Sequence, residues 1–158
     1  MSNRRPKLYI SRSKLKKAAE TATHISLRLD LKGLAKADGF EKEVTITGIK
    51  PDVFLELKEK RNRYWFVGDA KVAENERPSH RSTAKKISRY IRVFAIALDL
   101  KAIRGGFIAI ATDTKAAAVE WQEWLNRRCL AEGIVGPDES DPDFKITKIR
   151  KGAYVIFW

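Results

Sequence analysis

The alternation of apolar and polar residues on either side of a charged turn is what most constrains this chain. Over residues 52–58, Val53, Leu55 and Leu57 fall on one face of an extended segment, because successive strand side chains point to opposite sides. A charged stretch at 59–63 follows, and a second extended segment runs over 64–72. Two such segments with so short a connection predict an antiparallel hairpin. Residues 43–49 also alternate, with Val44, Ile46 and Gly48 against Thr45, Thr47 and Ile49. Pro51 then interrupts, and proline is tolerated at the first residue of a strand or on an edge. The three segments predict a three-stranded antiparallel meander.

The remaining segments surround it with helices. Over residues 11–37, Leu15, Ala18, Ala22, Ile25 and Leu29 recur at steps of three and four, the spacing of a helix face. Ser11 or Ser13 is placed to cap its start and Gly39 to end it. Residues 74–81 are polar, contain Pro78 and predict a loop, and a helix is expected over 82–100. Gly105 and Gly106 precede an apolar strand at 107–111, and Thr112 or Asp113 caps another helix that ends near Gly133. A loop with Pro137 and Pro142 leads to a last hairpin, 144–149 and 153–158. The order helix, three strands, helix, strand, helix, two strands predicts one α/β sandwich on a mixed sheet. Residues 1–10 read as a basic N-terminal arm and residues 11–158 as a single domain, a size that buries one core.

Composition narrows the partners. With 44% apolar and 33% charged residues the chain is of globular type. No apolar run approaches the roughly 20 residues that span a bilayer, so no membrane partner is expected. Arg4, Arg5 and Lys7 are not followed by the apolar stretch of a signal peptide. The lone Cys129 has no partner for an internal disulfide, zinc-finger spacing is absent, and Cys129 reads as core beside Trp124 and Leu125. A cytoplasmic setting is expected. The formal net charge of +12 attracts polyanions, and nucleic acid is favoured over an anionic membrane surface.

Chemistry concentrates at the two ends of the hairpin. Pro51-Asp52 opens one strand, and Gly68-Asp69-Ala70-Lys71 closes the next. Asp69 and Lys71 project from one face, and a turn near Arg61 and Asn62 sets Asp52 opposite them. With strands about 4.8 Å apart, both carboxylates reach one cation. Such a pair suits Mg²⁺, which keeps waters and phosphate oxygens as its other ligands. Lys71 is placed to orient or deprotonate an attacking water, or to stabilise the transition state. The Ala70 carbonyl, between them, is a further candidate ligand. The bland alternative is a surface ion pair on a sheet edge. Glu74 and Glu76 follow closely as candidate second ligands, whereas His24 and His80 stand isolated. On the next helix Arg81, Lys85, Arg89 and Arg92 share one face, opposite Ala84, Ile87, Ile91, Phe94 and Leu98. That basic ridge is placed to track a phosphate backbone, and Tyr90 flanks it.

Pro51-Asp52, seventeen residues before Asp69-Ala70-Lys71, resembles the signature of the PD-(D/E)XK nuclease superfamily of restriction enzymes, Holliday-junction resolvases and repair exonucleases. That family's core order of helix, meander, helix and strand matches the order read here over about residues 11–113. The resemblance implies a restriction-endonuclease-like fold, with metal held by Asp52, Asp69 and the Ala70 carbonyl and with Lys71 as the catalytic lysine. Many members add an acid from the first helix. Glu20 is the best-placed residue here, opposite the Leu15–Ala22–Leu29 stripe and alongside Leu27 and Leu31. A Gln-x-x-x-Tyr motif found in some members is not met, because Lys86 stands four residues before Tyr90. The implied activity is a Mg²⁺-dependent DNA endonuclease, with Mn²⁺ substituting, in which water attacks phosphorus in line. Cutting both strands needs two sites, which implies a homodimer. The alternatives are a non-catalytic basic DNA- or RNA-binding module and a degenerate nuclease subunit of a larger complex.

Overall fold

The computed structural model describes residues 12–134 and 146–157. In chain order its elements are α1 (Arg12–Ala37), β1 (Lys42–Glu43), β2 (Val53–Glu59), β3 (Asn62–Lys71), α2 (Arg81–Asp99), β4 (Gly105–Thr112), α3 (Lys115–Ala131), β5 (Thr147–Arg150) and β6 (Ala153–Phe157). The strands form one mixed six-stranded sheet in the order β1-β2-β3-β4-β6-β5. The basic arm expected at residues 1–10, the Ser11 cap and Trp158 lie outside the described residues.

The hairpin that the alternation predicts is the β2–β3 pair, in register from Val53 opposite Gly68 to Glu59 opposite Asn62. Its turn is only Lys60 and Arg61, tighter than the charged stretch suggests and one residue earlier than expected, with Lys60 at a positive φ of 55°. β3 then pairs in parallel with β4, Tyr64 opposite Gly105 through Lys71 opposite Thr112. A central strand flanked on both edges is shielded, and β3 is buried from Trp65 to Lys71. β4 begins two residues earlier than the apolar run, because Gly105 and Gly106 are themselves paired. Gly106 has φ 147°, and a Cβ there would fall 1.9 Å from the Trp65 carbonyl oxygen. Only glycine fits that approach.

Alternation along β3 sorts its side chains between two layers. Phe66 and Ala70 join Val53, Leu55, Ala109 and Ala111 under α1, which contributes Leu27, Leu31 and Ala35. On the other face Trp65, Val67, Ile108 and Ile110 pack against α2 and α3, through Ile87, Ile91, Phe94, Trp121 and Leu125. Burial of each such side chain contributes about 1.5–3 kcal/mol, and the result is a sheet between two helical layers.

Three expectations are corrected. The stripe that docks α1 is Leu27, Leu31 and Ala35, whereas Ala22 is exposed and Ile25 and Leu29 keep 43% and 60% of their surface open. Two apolar stripes share this helix, and the one complementary to Phe66 and Ala70 is the one buried. The strand expected over 43–49 reduces to β1. Lys42 and Glu43 pair with Glu56 and Leu55, Val44 N–H still donates to the Phe54 carbonyl at 3.0 Å, and a turn at Gly48 (φ 95°) then leads the chain to Pro51. The cap of α3 is Thr114 instead of Thr112 or Asp113; its Oγ1 accepts from Ala117 N–H at 3.2 Å. α2 opens after His80, which gives no side-chain cap. Cys129 is buried, as expected. Trp121 is fully buried and meets Trp124 edge-on at 5.5 Å. Among the described residues no helix is long and apolar enough to cross a membrane.

Candidate active site

Continuing the β2–β3 register by one step past Val53 and Gly68 sets Asp52 across from Asp69. Side chain and backbone lock this end of the hairpin where ladder bonds stop. Asp52 N–H donates to Asp69 Oδ1 at 2.8 Å, and Ala70 N–H donates to Asp52 Oδ2 at 2.8 Å. The N–H and C=O of one strand residue point the same way, so the Ala70 carbonyl also faces the Asp52 side of β3.

Asp69 and Lys71 project toward the α2–α3 face by alternation, and both are buried, at 1% and 2% exposure. Lys71 Nζ stands 2.8 Å from Asp69 Oδ2 and 3.3 Å from Glu76 Oε2. This is a buried pair on a central strand, so the surface ion pair of a sheet edge does not describe it. The contact with Asp69 is an ion pair, and the buried Oδ2 has no further partner among the described residues. Glu76 reaches the pair because residues 72–76 fold back. Its N–H bonds the Val72 carbonyl at 2.9 Å, and its Oε1 accepts from Val72 N–H at 3.1 Å. Asp113, just past β4, secures the same loop by accepting from Ala73 N–H at 2.8 Å.

The electrostatics follow from burial and from the crowding of like charge. Burial raises the Asp69 carboxyl above its ordinary value; the Lys71 ammonium opposes this, and Asp52 adds to it. Burial pulls the Lys71 ammonium down, but Asp69 and then Glu76 more than offset it, so its pKa rises. Tyr90, on α2, is also buried, and its hydroxyl donates to the Lys50 carbonyl at 3.0 Å. Burial and the nearby charges of Asp69 and Asp52 raise it far above the usual phenol range. Burial pushes the Cys129 thiol up to about 12, which leaves it inert.

The first helix brings to the acids a residue that the sequence leaves isolated. His24 Nε2 lies 3.4 Å from Asp52 Oδ2. Glu20, one turn earlier and half-buried, makes no hydrogen bond or ion pair with Asp52 or Asp69 among the described residues. It shares with His24, Val72 and Glu76 the lining of a cavity of about 320 Å³. The signal for His24 is in the sequence: residues 20, 24, 27, 31 and 35 form the stripe that docks α1. Of the basic ridge, Arg81, Lys85, Arg89 and Arg92 are all exposed. Lys85 and Arg89 join Lys50, Lys86 and Tyr90 around a cleft of about 450 Å³, beside the chain that leads into Asp52. His80 is exposed, its Nδ1 accepting from Arg77 N–H at 3.1 Å.

A hard divalent cation fits this donor set. Among the described residues no three His, Cys, Asp or Glu side chains form a protein cage, but Mg²⁺ is commonly held by one or two carboxylates, with waters completing its shell. Asp52 and Asp69 supply two carboxylates, and the buried Asp69 Oδ2 has no partner besides the Lys71 ammonium among the described residues. The carboxyl groups of Asp69 and Glu76 both meet the ammonium of Lys71, and Asp52 adjoins Asp69. The spot is locally acidic in a chain of net charge +12. No family model, no curated protein and no solved structure matches this chain.

Proposed function

We propose that the chain is a metal-dependent DNA endonuclease with a restriction-endonuclease-like arrangement of its α/β core and a PD-(D/E)XK-type site. The observation that carries this reading is the cross-strand lock of Asp52 and Asp69 beside the buried ammonium of Lys71. A pair of acids converging on one point is what a hard cation needs, and the surrounding positive charge is what a phosphodiester needs. Asp52 and Asp69, with the Ala70 carbonyl, would hold Mg²⁺ or Mn²⁺. Bound there, the ion supplies an activated water and neutralises charge developing on the phosphate.

The residues of the chain do the rest. The Asp52 N–H fixes the Asp69 carboxylate, and the Ala70 N–H fixes that of Asp52. Lys71, whose ammonium Asp69 and Glu76 stabilise, offers that charge to the anionic transition state. His24 steadies Asp52, and Lys85 and Arg89 hold the phosphate backbone beside the site. Cutting both strands calls for two copies of the chain; gel filtration with and without DNA tests that homodimer.

A second reading is favoured by Lys71 itself, which is engaged by two carboxylates as a structural pair would be. In that reading the chain is a non-catalytic DNA- or RNA-binding module. Linear, supercoiled and four-way-junction DNA incubated with Mg²⁺, Mn²⁺ or EDTA separates the two. Cutting that needs metal and disappears in Asp69→Ala supports the nuclease; salt-sensitive binding without cutting on any substrate supports the module.

A further inference from the structure

A second basic cleft lies at the opposite end of the sheet. The β2–β3 turn and the chain between α2 and β4 meet there, tied by the Arg104 N–H to the Arg63 carbonyl at 2.8 Å. They enclose about 390 Å³, lined by Arg61, Arg63, Lys101 and Arg104 with Asn62 and the apolar floor of Leu98 and Ile103. No acidic residue lines it. All four cationic side chains are exposed, and none forms an ion pair among the described residues. The two non-glycine residues with positive φ, Lys60 (55°) and Lys101 (56°), adjoin this cleft. Glycine adopts that conformation with less strain, yet lysine occupies both positions and adds charge.

The cleft is one end of a track. β3 runs the ten residues from Asn62 to Lys71, about 30 Å at ~3.3 Å per residue. α2 returns over the same span, nineteen residues or about 28 Å at 1.5 Å per residue. Its outer face carries Arg81, Lys85, Arg89 and Arg92, none of them in an ion pair among the described residues. Unpaired cations thus cover the first three turns of α2 beside the carboxylates, and past the exposed Asp99 at its end Lys101 and Arg104 resume the positive charge at the far cleft. That length matches about nine steps of a duplex at ~3.4 Å per phosphate of one strand.

We propose that the cleft of Arg61, Arg63, Lys101 and Arg104 binds phosphodiester groups of duplex DNA about 30 Å from the carboxylate site, as a remote anchor. Phosphate oxyanions are the chemistry four converging cations recognise, and the ridge on α2 favours a polymer over a small ligand. The inference rests on the nuclease reading only in taking DNA as the polyanion.

The test is fluorescence anisotropy of full-length protein with labelled duplexes of 8 and 20 base pairs, in EDTA, across a salt series. Arg61→Ala with Arg104→Ala removes two exposed contacts. For the longer duplex the slope of log affinity against log salt is expected to fall by about 1.8, at ~0.9 per phosphate contact. The longer duplex should also lose its advantage over the shorter one. Arg28→Ala with Lys36→Ala, an equal charge change on the exposed side of α1, is expected to leave both unchanged. Equal slopes in the cleft variant and the wild type would overturn the proposal. So would an equal fall in the α1 control, or saturable binding of inorganic phosphate by these arginines with no change in the DNA slope. Because no metal is present, a lowered slope upholds the cleft even if every cleavage assay fails, and that failure counts against the nuclease reading alone.

Discussion

Asp52 and Asp69 hold one another across the hairpin end: Asp52 N–H donates to Asp69 Oδ1, and the N–H following Asp69 donates to Asp52 Oδ2, each at 2.8 Å. The acids are thereby positioned before any ligand arrives. Asparagine at 52 keeps an oxygen acceptor for Ala70 N–H but loses the charge. Asp52→Asn is therefore expected to melt close to the wild type and to lose metal-dependent cleavage by about 10²-fold or more. Asp52→Ala should in addition lose about 1–3 kcal/mol of stability, the cost of a buried donor left unpaired. Cleavage rates beside thermal melts give both readouts, and an Asn variant that cuts at the wild-type rate would remove Asp52 from the chemistry.

The buried Asp69–Lys71 pair sets up a double-mutant cycle. Removing one partner of a buried pair costs about 3–5 kcal/mol, whereas neutralising both is often harmless. Lys71→Met alone is expected to be the more damaging, because it leaves Asp69, already raised by burial, without the ammonium that opposes that rise. Asp69→Asn combined with Lys71→Met should recover much of the loss in denaturant unfolding. Mg²⁺ should raise the melting temperature of Lys71→Met if the cation takes the ammonium's place. Additive losses in the double variant would mean that the two side chains are not coupled.

Alkaline stability follows from the raised Lys71 and Tyr90. Each keeps its proton in the folded chain at a pH where the unfolded chain has lost it, so stability falls as pH rises. The Lys71 contribution is fully present below about 10.5 and is lost as pH climbs through its folded value; the Tyr90 contribution declines from about 10 upward. Each group contributes at most about 1.4 kcal/mol per pH unit. Tyr90→Phe is expected to flatten the fall in melting temperature between pH 9.5 and 11.5. An unchanged slope would show that the Tyr90 proton plays no part.

Gly68 gives α1 room just before Asp69. A Cβ there would stand 3.1 Å from Phe66 Cε1, tighter than packed carbons usually settle, and in ordinary contact at 3.4 Å with Leu31 Cδ1. Gly68→Ala is expected to destabilise by about 1–3 kcal/mol through overpacking. Gly33→Ala, with open space around its added methyl, serves as the helical control and should be neutral or stabilising.

What was legible in the sequence tracks how local the signal is. Strand alternation and the short turn gave β2, β3 and hence the meeting of Asp52 with Asp69, because register follows from a period of two. The face of α1 is not legible in this way: Leu15, Ala22, Ile25 and Leu29 are as periodic as Leu27, Leu31 and Ala35, and only the sheet beneath decides between them. Val44 and Ile46 alternate like a strand, yet the turn at Gly48 leaves them half-buried in a loop. His24 joins Asp52 across 28 residues, and Arg61 joins Arg104 across 43. The helical spacing puts His24 on the docking stripe, but no local pattern names the partner of either residue across such a separation.

Correcting the face of α1 decides which of its polar residues supports the site. His24 touches Asp52, whereas Glu20 reaches only the cavity beside Glu76. Residues that orient a metal-binding carboxylate typically change metal affinity about 10–100-fold when removed. His24→Ala is expected to weaken Mn²⁺ binding by that factor in calorimetry, with Glu20→Ala causing the smaller loss. Both positions are half-buried, and melts of each variant separate lost binding from lost folding. A larger loss from Glu20→Ala, with the fold intact, would make Glu20 the helix's metal-facing acid and reduce His24 to a neighbour.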